Sequence, residues 1–268
     1  MKKPDLRSPL FDGEKISIPA EASDLSKPFN GSLCSAKGDE YPVKNNIADL
    51  ITEDKHYTLA QSTNHWNVTA SVYEDLWRVR SLSLLTGEPF PIEKEKELLN
   101  KWVQPKPNGI YLDVGCSTAL YARSLKKAEP KSTQVALDFS KAMLEEARLK
   151  AEAGQTDLFL IRADARELPF FSATFDGIVM GGTLNELGDE LKVLYECRRV
   201  IKKDGVFFMM HLIQAGSWYG KILQNSAEWS GIKFWTQEQS NDLFNRAGFE
   251  VEDQFVKGIV CFTKLKPV

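Results

Sequence analysis

Three aspartates that follow short apolar runs are the residues of this chain best suited to chemistry. Asp113 follows Ile110-Tyr111-Leu112, Asp138 follows Val135-Ala136-Leu137, and Asp164 stands just beyond Leu158-Phe159-Leu160-Ile161. Asp138 lies 25 residues after Asp113 (138 − 113). A carboxylate at the carboxyl end of a second strand can accept hydrogen bonds from both hydroxyls of a ribose. Phe139, beside it, can lay an apolar face against an adenine. The Asp164 carboxylate can accept from an exocyclic amine while the Ala165 backbone N–H donates to a ring nitrogen. A fourth apolar run, Phe175–Met180, ends in Gly181-Gly182, small residues suited to the floor of a pocket. The chemistry that these types suit is hydrogen bonding to the hydroxyls and base edge of a nucleoside.

Such residues need elements that bring strand ends together. Ile110–Leu125 reads as a short buried strand, a tight turn at Gly115 and a helix whose face is Tyr121, Leu125 and Ala128. A strand turning tightly into a helix leaves backbone N–H groups facing the region beyond the strand. A dinucleotide fingerprint requires Gly-x-Gly-x-x-Gly; here Ser117 and Leu120 follow Gly115, which argues against a pyrophosphate ligand. Strand and helix then alternate. Gln134–Asp138 is a strand, Ser140 caps a helix over 142–153, and Leu158–Ile161 and Phe175–Met180 are the next strands. A helix over 189–202, the turn Lys203-Asp204-Gly205 and a strand Val206–Leu212 follow. A helix over 237–247 leads to Phe249–Phe255 and Ile259–Leu265, which read as a hairpin. Repeated strand–helix units predict an α/β fold, a doubly wound and mostly parallel sheet with ligand sites at the strands' carboxyl ends.

The turn and the strand ends together resemble class I S-adenosylmethionine-dependent methyltransferases, whose first motif is commonly Asp-x-Gly-x-Gly-x-Gly. Asp113 and Gly115 match it, whereas Ser117 and Ala119 stand at its later glycines. Leu168-Pro169-Phe170, Phe175-Asp176 and Arg198–Val206 extend the resemblance, which covers about 105–265. It is most similar to the branch of ubiquinone/menaquinone C-methyltransferases. The resemblance implies a seven-stranded sheet ending in an antiparallel hairpin and S-adenosyl-L-methionine as cofactor. It assigns Asp113, Gly115, Ser117, Asp138, Phe139, Asp164, Ala165 and Gly181 to cofactor binding. If Ser117 is left-handed, its side chain costs ~1 kcal/mol, a fivefold to tenfold weakening that leaves binding intact.

A general base would assist a carbon or phenol nucleophile. His211, at the end of the fifth strand, and Glu186, with Asn185 beyond the fourth, are the candidates, because that end of the sheet borders the acceptor pocket in this family. The expected acceptor is a small apolar or aromatic molecule, suited to Trp66, Tyr73 and Trp77 ahead of the sheet and to Trp218, Tyr219, Trp229, Phe234 and Trp235 after it. Two other functions stand beside this one: ribosomal RNA base methylation, and a non-catalytic cofactor-binding partner protein, which the departures at Ser117 and Ala119 would suit.

Two segments precede the sheet. Residues 1–55 read as a small β-like appendage, with Lys15–Ile18 and Glu40–Val43 as short strands packed through Leu6, Phe11, Ile18 and Ile47. Its order of motifs, above all Tyr41-Pro42-Val43, resembles the zinc ribbon that precedes the catalytic domain in some methyltransferases. Ser8, Phe11 and Lys37 stand at cysteine positions and Cys34 alone remains, so no metal is expected. Residues 56–104 read as a helical cover, with Tyr57, His65, Trp66 and Tyr73 as pocket candidates and a last helix over 93–103. The methyltransferase domain is then 105–268.

The bulk properties suit this reading. The 268 residues are 43% hydrophobic and 26% charged, as in ordinary globular proteins. A net charge of −3 gives no general attraction for nucleic acid or an anionic membrane. No apolar run approaches the ~20 residues of a membrane span, and Lys2-Lys3-Pro4-Asp5 does not lead into a secretory core. Four cysteines without close pairing point to a cytoplasmic protein.

Overall fold

The computed structural model describes residues 3–9, 14–23, 29–51, 83, 85–216, 218–229 and 231–268. Phe11 and the pocket candidates Tyr57, His65, Trp66, Tyr73 and Trp77 lie outside them. Among the described residues twelve strands form one mixed sheet. Five come from the N-terminal segment: β1 (Leu6–Arg7), β2 (Lys15–Ser17), β3 (Gly31–Ser35), β4 (Glu40–Lys44) and β5 (Ile47–Asp49). Seven follow: β6 (Ile110–Val114), β7 (Thr133–Asp138), β8 (Phe159–Arg162), β9 (Phe175–Gly181), β10 (Ile201–Leu212), β11 (Phe249–Lys257) and β12 (Val260–Pro267). Their order is β1-β2-β3-β4-β5-β8-β7-β6-β9-β10-β12-β11.

The seven strands after residue 105 are those expected from the sequence. β6 through β10 run parallel, and β12 and β11 form the antiparallel hairpin. All five residues of β6 are buried, which is why it opens on the unbroken apolar run Ile110–Leu112 and not on an alternation. The expected turn at Lys203–Gly205 survives as a register break between Ile201 and Val206 inside β10. The N-terminal segment departs from the picture of a separate appendage. Its five strands extend the main sheet, because β5 pairs in parallel with β8 over Ile47↔Leu160, Ala48↔Ile161 and Asp49↔Arg162. Leu6, Ile16, Leu33, Tyr41, Val43 and Leu50 thereby join the same buried core as Leu112, Phe170 and Phe175.

Helices cover the sheet: α1 (Ile92–Val103), α2 (Leu120–Ala128), α3 (Lys141–Ala153), α4 (Glu190–Val200), α5 (Trp218–Glu228) and α6 (Gln237–Arg246). Their starts follow local chemistry. The Met143 N–H donates to the Ser140 hydroxyl at the start of α3, and the Lys192 N–H donates to the Asp189 carboxylate at the start of α4. Thr236 and Gln239 form a reciprocal capping box on α6. The aromatic residues around Trp218 gave no helical pattern in the sequence, yet α5 occupies that stretch.

α2 begins differently. Ala119, at its N-cap position, is left-handed with φ 57° and offers no side-chain acceptor. The cap comes from the preceding strand, where Asp113 Oδ2 accepts from the Ala122 N–H at 3.0 Å. The Asp113 carboxylate thus holds the strand–turn–helix unit together.

Candidate active site

The carboxyl ends of β8, β7, β6 and β9 lie side by side in that order, and hydrogen bonds join each to the next. The Thr183 hydroxyl, from the short 3-10 helix Thr183–Glu186 after β9, donates to the Gly115 carbonyl at 3.0 Å. The Ser117 N–H donates to Asp138 Oδ2 at 2.7 Å, joining the turn after β6 to the end of β7. The Ala163 N–H donates to the Asp138 carbonyl at 3.2 Å, and Arg162 Nε donates to the Phe139 carbonyl at 3.0 Å, joining β7 to β8. Chain order reverses between β6 and β9. Ligands of open α/β sheets bind in the crevice at such a switch point.

The turn after β6 needs unusual backbone. Gly115, Ser117 and Ala119 have φ of 63°, 51° and 57°. The two positions at which the family resemblance expects glycine are therefore left-handed, and Ser117 and Ala119 carry the strain that glycine would avoid. Gly115 has a further reason to be glycine: a β-carbon there would overlap the Thr183 side chain.

Asp138 works as a hinge pin. Its Oδ1 accepts from the Ser140 N–H at 2.8 Å while Oδ2 holds Ser117, so one carboxylate orients both the turn and the start of α3. Asp164 is 9% exposed and is held by Arg166. Arg166 Nε lies 3.0 Å from Oδ1, Nη2 lies 3.0 Å from Oδ2, and the Arg166 N–H donates to Oδ1 at 2.9 Å. This bidentate pair fixes the carboxylate's orientation, and the same bonds hold the Arg166 guanidinium in its charged form. The loop carrying Asp164 and Ala165 is anchored further along. Leu168 N–H donates to Glu196, and Arg199 of α4 donates to the carbonyls of Leu168 and Phe170.

Asp113, Gly115, Ser117, Asp138, Phe139, Asp164, Ala165 and Gly181 thus all sit at the ends of four adjoining strands. The groups present fit an adenine nucleoside: acceptor carboxylates at two neighbouring strand ends and an aromatic ring at Phe139. Arg166, Thr183 and Arg162 were missed from sequence. Arg166 alone had a local signal, since it lies two residues after Asp164.

His211 requires a correction. Its side chain is fully buried, edge-on to Phe244 of α6 with ring centroids 5.5 Å apart, and neither ring nitrogen has a partner. Burial lowers its pKa to about 4. It points into the layer between sheet and α6, with Phe207 and Met209, where a base cannot meet a substrate proton. Asn185 is likewise structural: buried, it donates to the carbonyls of Leu212 and Lys233 and accepts from the Leu212 N–H. Glu186, the other acid–base candidate from the sequence, is partly exposed at the end of the 3-10 helix. Burial and the nearby Asp138 and Asp113 push the Cys116 thiol well above its usual range, so it is no nucleophile.

A doubly wound sheet of this order, with carboxylates at adjoining strand ends and no pyrophosphate fingerprint, matches the class I methyltransferase fold. Comparison with known proteins agrees. A methyltransferase domain family matches residues 112–209. The demethylmenaquinone methyltransferase of Lysinibacillus sphaericus is 33% identical over 177 residues, covering 56% of this chain and 74% of that one. An uncharacterized chloroplastic methyltransferase of Arabidopsis thaliana is 23% identical over 258 residues, covering 89% of this chain and 71% of that one. A SAM-dependent methyltransferase structure from Aquifex aeolicus shares the fold, with a TM-score of 0.55 at 23% identity over 71% of this chain and 97% of that one. The chain belongs to the S-adenosylmethionine-dependent methyltransferases. It is an enzyme whose cofactor is S-adenosylmethionine. No helix among the described residues is long and apolar enough to cross a membrane.

Proposed function

We propose that the enzyme transfers the methyl group to a small aromatic acceptor of the hydroquinone type. The observation that carries this reading is the 33% identity to a demethylmenaquinone methyltransferase across three quarters of that protein. The exposed indoles of Trp218 and Trp229, following β10, are a second support, since aromatic surface suits an aromatic ligand. The net charge of −3 does not favour an RNA acceptor. The three buried thiols, Cys116, Cys197 and Cys261, are all free, and we assign the enzyme to a reducing compartment such as the cytoplasm.

In this proposal Asp138 accepts from the ribose hydroxyls and Asp164, fixed by Arg166, accepts from the adenine amine. Ala165 donates to the adenine ring, Phe139 stacks on it, and Gly115, Ser117 and Gly181 border the methionine portion. Asp113 supports the turn by capping α2. S-adenosylmethionine supplies an electrophilic methyl group. Transfer from a sulfonium is an in-line displacement, so the protein contributes mainly orientation and exclusion of water. For methylation at a ring carbon the S–C bond breaks, a C–C bond forms, and the proton from that carbon must leave. Glu186 is the proposed acceptor of that proton.

The test is methyl transfer from radiolabelled S-adenosylmethionine to a short-chain prenyl naphthohydroquinone, alongside calorimetry with S-adenosylhomocysteine. Labelled lipid-extractable product is the expected result. Cofactor binding with no transfer to hydroquinones or simple phenols would remove the acceptor assignment.

A further inference from the structure

The N-terminal strands touch the end of β8 on both sides of the loop that carries Asp164 and Ala165. On one side, the Leu50 N–H donates to the Arg162 carbonyl at 2.9 Å and β5 pairs with β8. On the other, the Arg7 N–H donates to the Pro169 carbonyl at 2.9 Å and Leu6 bridges Phe170. Between these fixed points one side chain reaches inward. Asp49, at the last position of β5, pairs with Arg162 at 2.9 Å, with the two side chains 28% and 18% exposed.

Arg162 is bonded on two sides. While Nη1 binds Asp49, Nε donates to the Phe139 carbonyl at 3.0 Å, and the guanidinium carbon lies 5.5 Å from the Phe139 ring centroid. The guanidinium is planar, so a carboxylate that holds one N–H also orients the others and less freedom is lost per bond, and a cation over a ring adds attraction. Phe139 in turn lies between Asp138 and Ser140, whose N–H binds Asp138 Oδ1. The contacts therefore run from Asp49 through Arg162 to the ring and carbonyl of Phe139, and onward to the backbone that aims Asp138.

We propose that Asp49 is a positioning residue for the nucleoside half of the cofactor, making the N-terminal strands a working part of the active site and not an attached domain. The inference rests on the assignment of Phe139 and Asp138 to the nucleoside. Without Asp49, Arg162 is free to leave the Phe139 ring and carbonyl, and the stacking surface loses its fixed orientation.

The test is calorimetric titration of S-adenosylhomocysteine into the full chain at a temperature where every variant is folded by circular dichroism. Four proteins are compared: wild type, Asp49→Ala, Phe139→Ala and the double variant, with Asp49→Asn as a milder replacement should Asp49→Ala not fold. Asp49→Ala is expected to weaken binding threefold to tenfold in the wild-type background and by less than twofold in the Phe139→Ala background. Asp49→Glu is expected to recover part of the loss. A purely structural salt bridge would lower the melting temperature and leave the dissociation constant of the folded protein unchanged, and that result overturns the inference. So does an equal loss in both backgrounds. If Phe139→Ala weakens binding and Asp49→Ala does not, the nucleoside assignment stands and the role of Asp49 falls. If Phe139→Ala itself has no effect, both fall.

Discussion

The Thr183 side chain stands where a β-carbon on Gly115 would be, and its hydroxyl donates to the Gly115 carbonyl at 3.0 Å. The turn after β6 and the exit from β9 are thus built against each other, and neither can be altered alone. Gly115→Ala should cost roughly 2–4 kcal/mol, the sum of left-handed strain and an overpacked contact. Urea denaturation is the measurement. Adding Thr183→Gly should return the contact part of the loss and leave the strain.

Ser117 carries strain without such a contact. Ser117→Gly removes a left-handed penalty of about 1–2 kcal/mol and adds about 0.4–1 kcal/mol of unfolded-state entropy. The expected net is a gain of roughly 0.5–1 kcal/mol, a rise of about 1–4 °C in melting temperature. Calorimetry should show the rise together with tighter binding of S-adenosylhomocysteine; a lower melting temperature would mean that the contact of Ser117 Oγ with Met143 Sδ, at 3.4 Å, outweighs the strain.

His211 sets a pH dependence of stability. In the fold it stays neutral down to about pH 4, against an ordinary value of 6.5. Between these values the unfolded chain binds the extra proton, so stability is complete above pH 6.5 and declines as pH falls toward 4. The decline is on the order of 3 kcal/mol. His211→Phe, which keeps a ring against Phe244, should flatten the slope of unfolding free energy between pH 6.5 and 4.5. An unchanged slope would assign it to other groups.

Asp138 and Asp164 should each be needed for cofactor binding, by different routes. Asp138→Asn offers the Ser117 and Ser140 amides a weaker acceptor, and should lower both stability and S-adenosylhomocysteine affinity. Asp164→Asn breaks a partly buried ion pair with Arg166, leaving the guanidinium poorly matched. Both are expected to weaken binding tenfold or more. Arg166→Met should weaken it less, and one calorimetric series compares all three. Equal binding by wild type and Asp138→Asn would displace the ribose assignment.

Most of the fold was legible because its strands are buried on both faces. β6, β7 and β9 each carry a short unbroken apolar run, and Ser140, Asp189 and Thr236 mark helix starts by local chemistry. The strand-end carboxylates were legible for the same reason: each follows its run at a short interval. What escaped the sequence depends on distant partners. Nothing near Ile47 announces that β5 adds to β8, since its three residues carry too little pattern. Nothing near Asp49 points to Arg162. His211 misled because its place at a strand end was readable while the face it occupies was not. Its alternation with Phe207 and Met209, both in the α6 layer, was the available signal.

The pairing of β5 with β8 also has a consequence for synthesis. Asp49 and Arg162 are 113 residues apart, and translation proceeds at about 5–20 residues per second. On the ribosome β5 therefore waits roughly 6–20 s for its partner strand. During that interval it is a bare strand edge of the kind that recruits foreign chains. Its brevity is then protective: three residues offer too short a template to hold an intruder, yet enough to be captured once the parallel core has formed. Nascent chains arrested before Phe159 should accordingly be cut by protease around Ile47–Asp49, and chains extended well beyond Arg162 should resist.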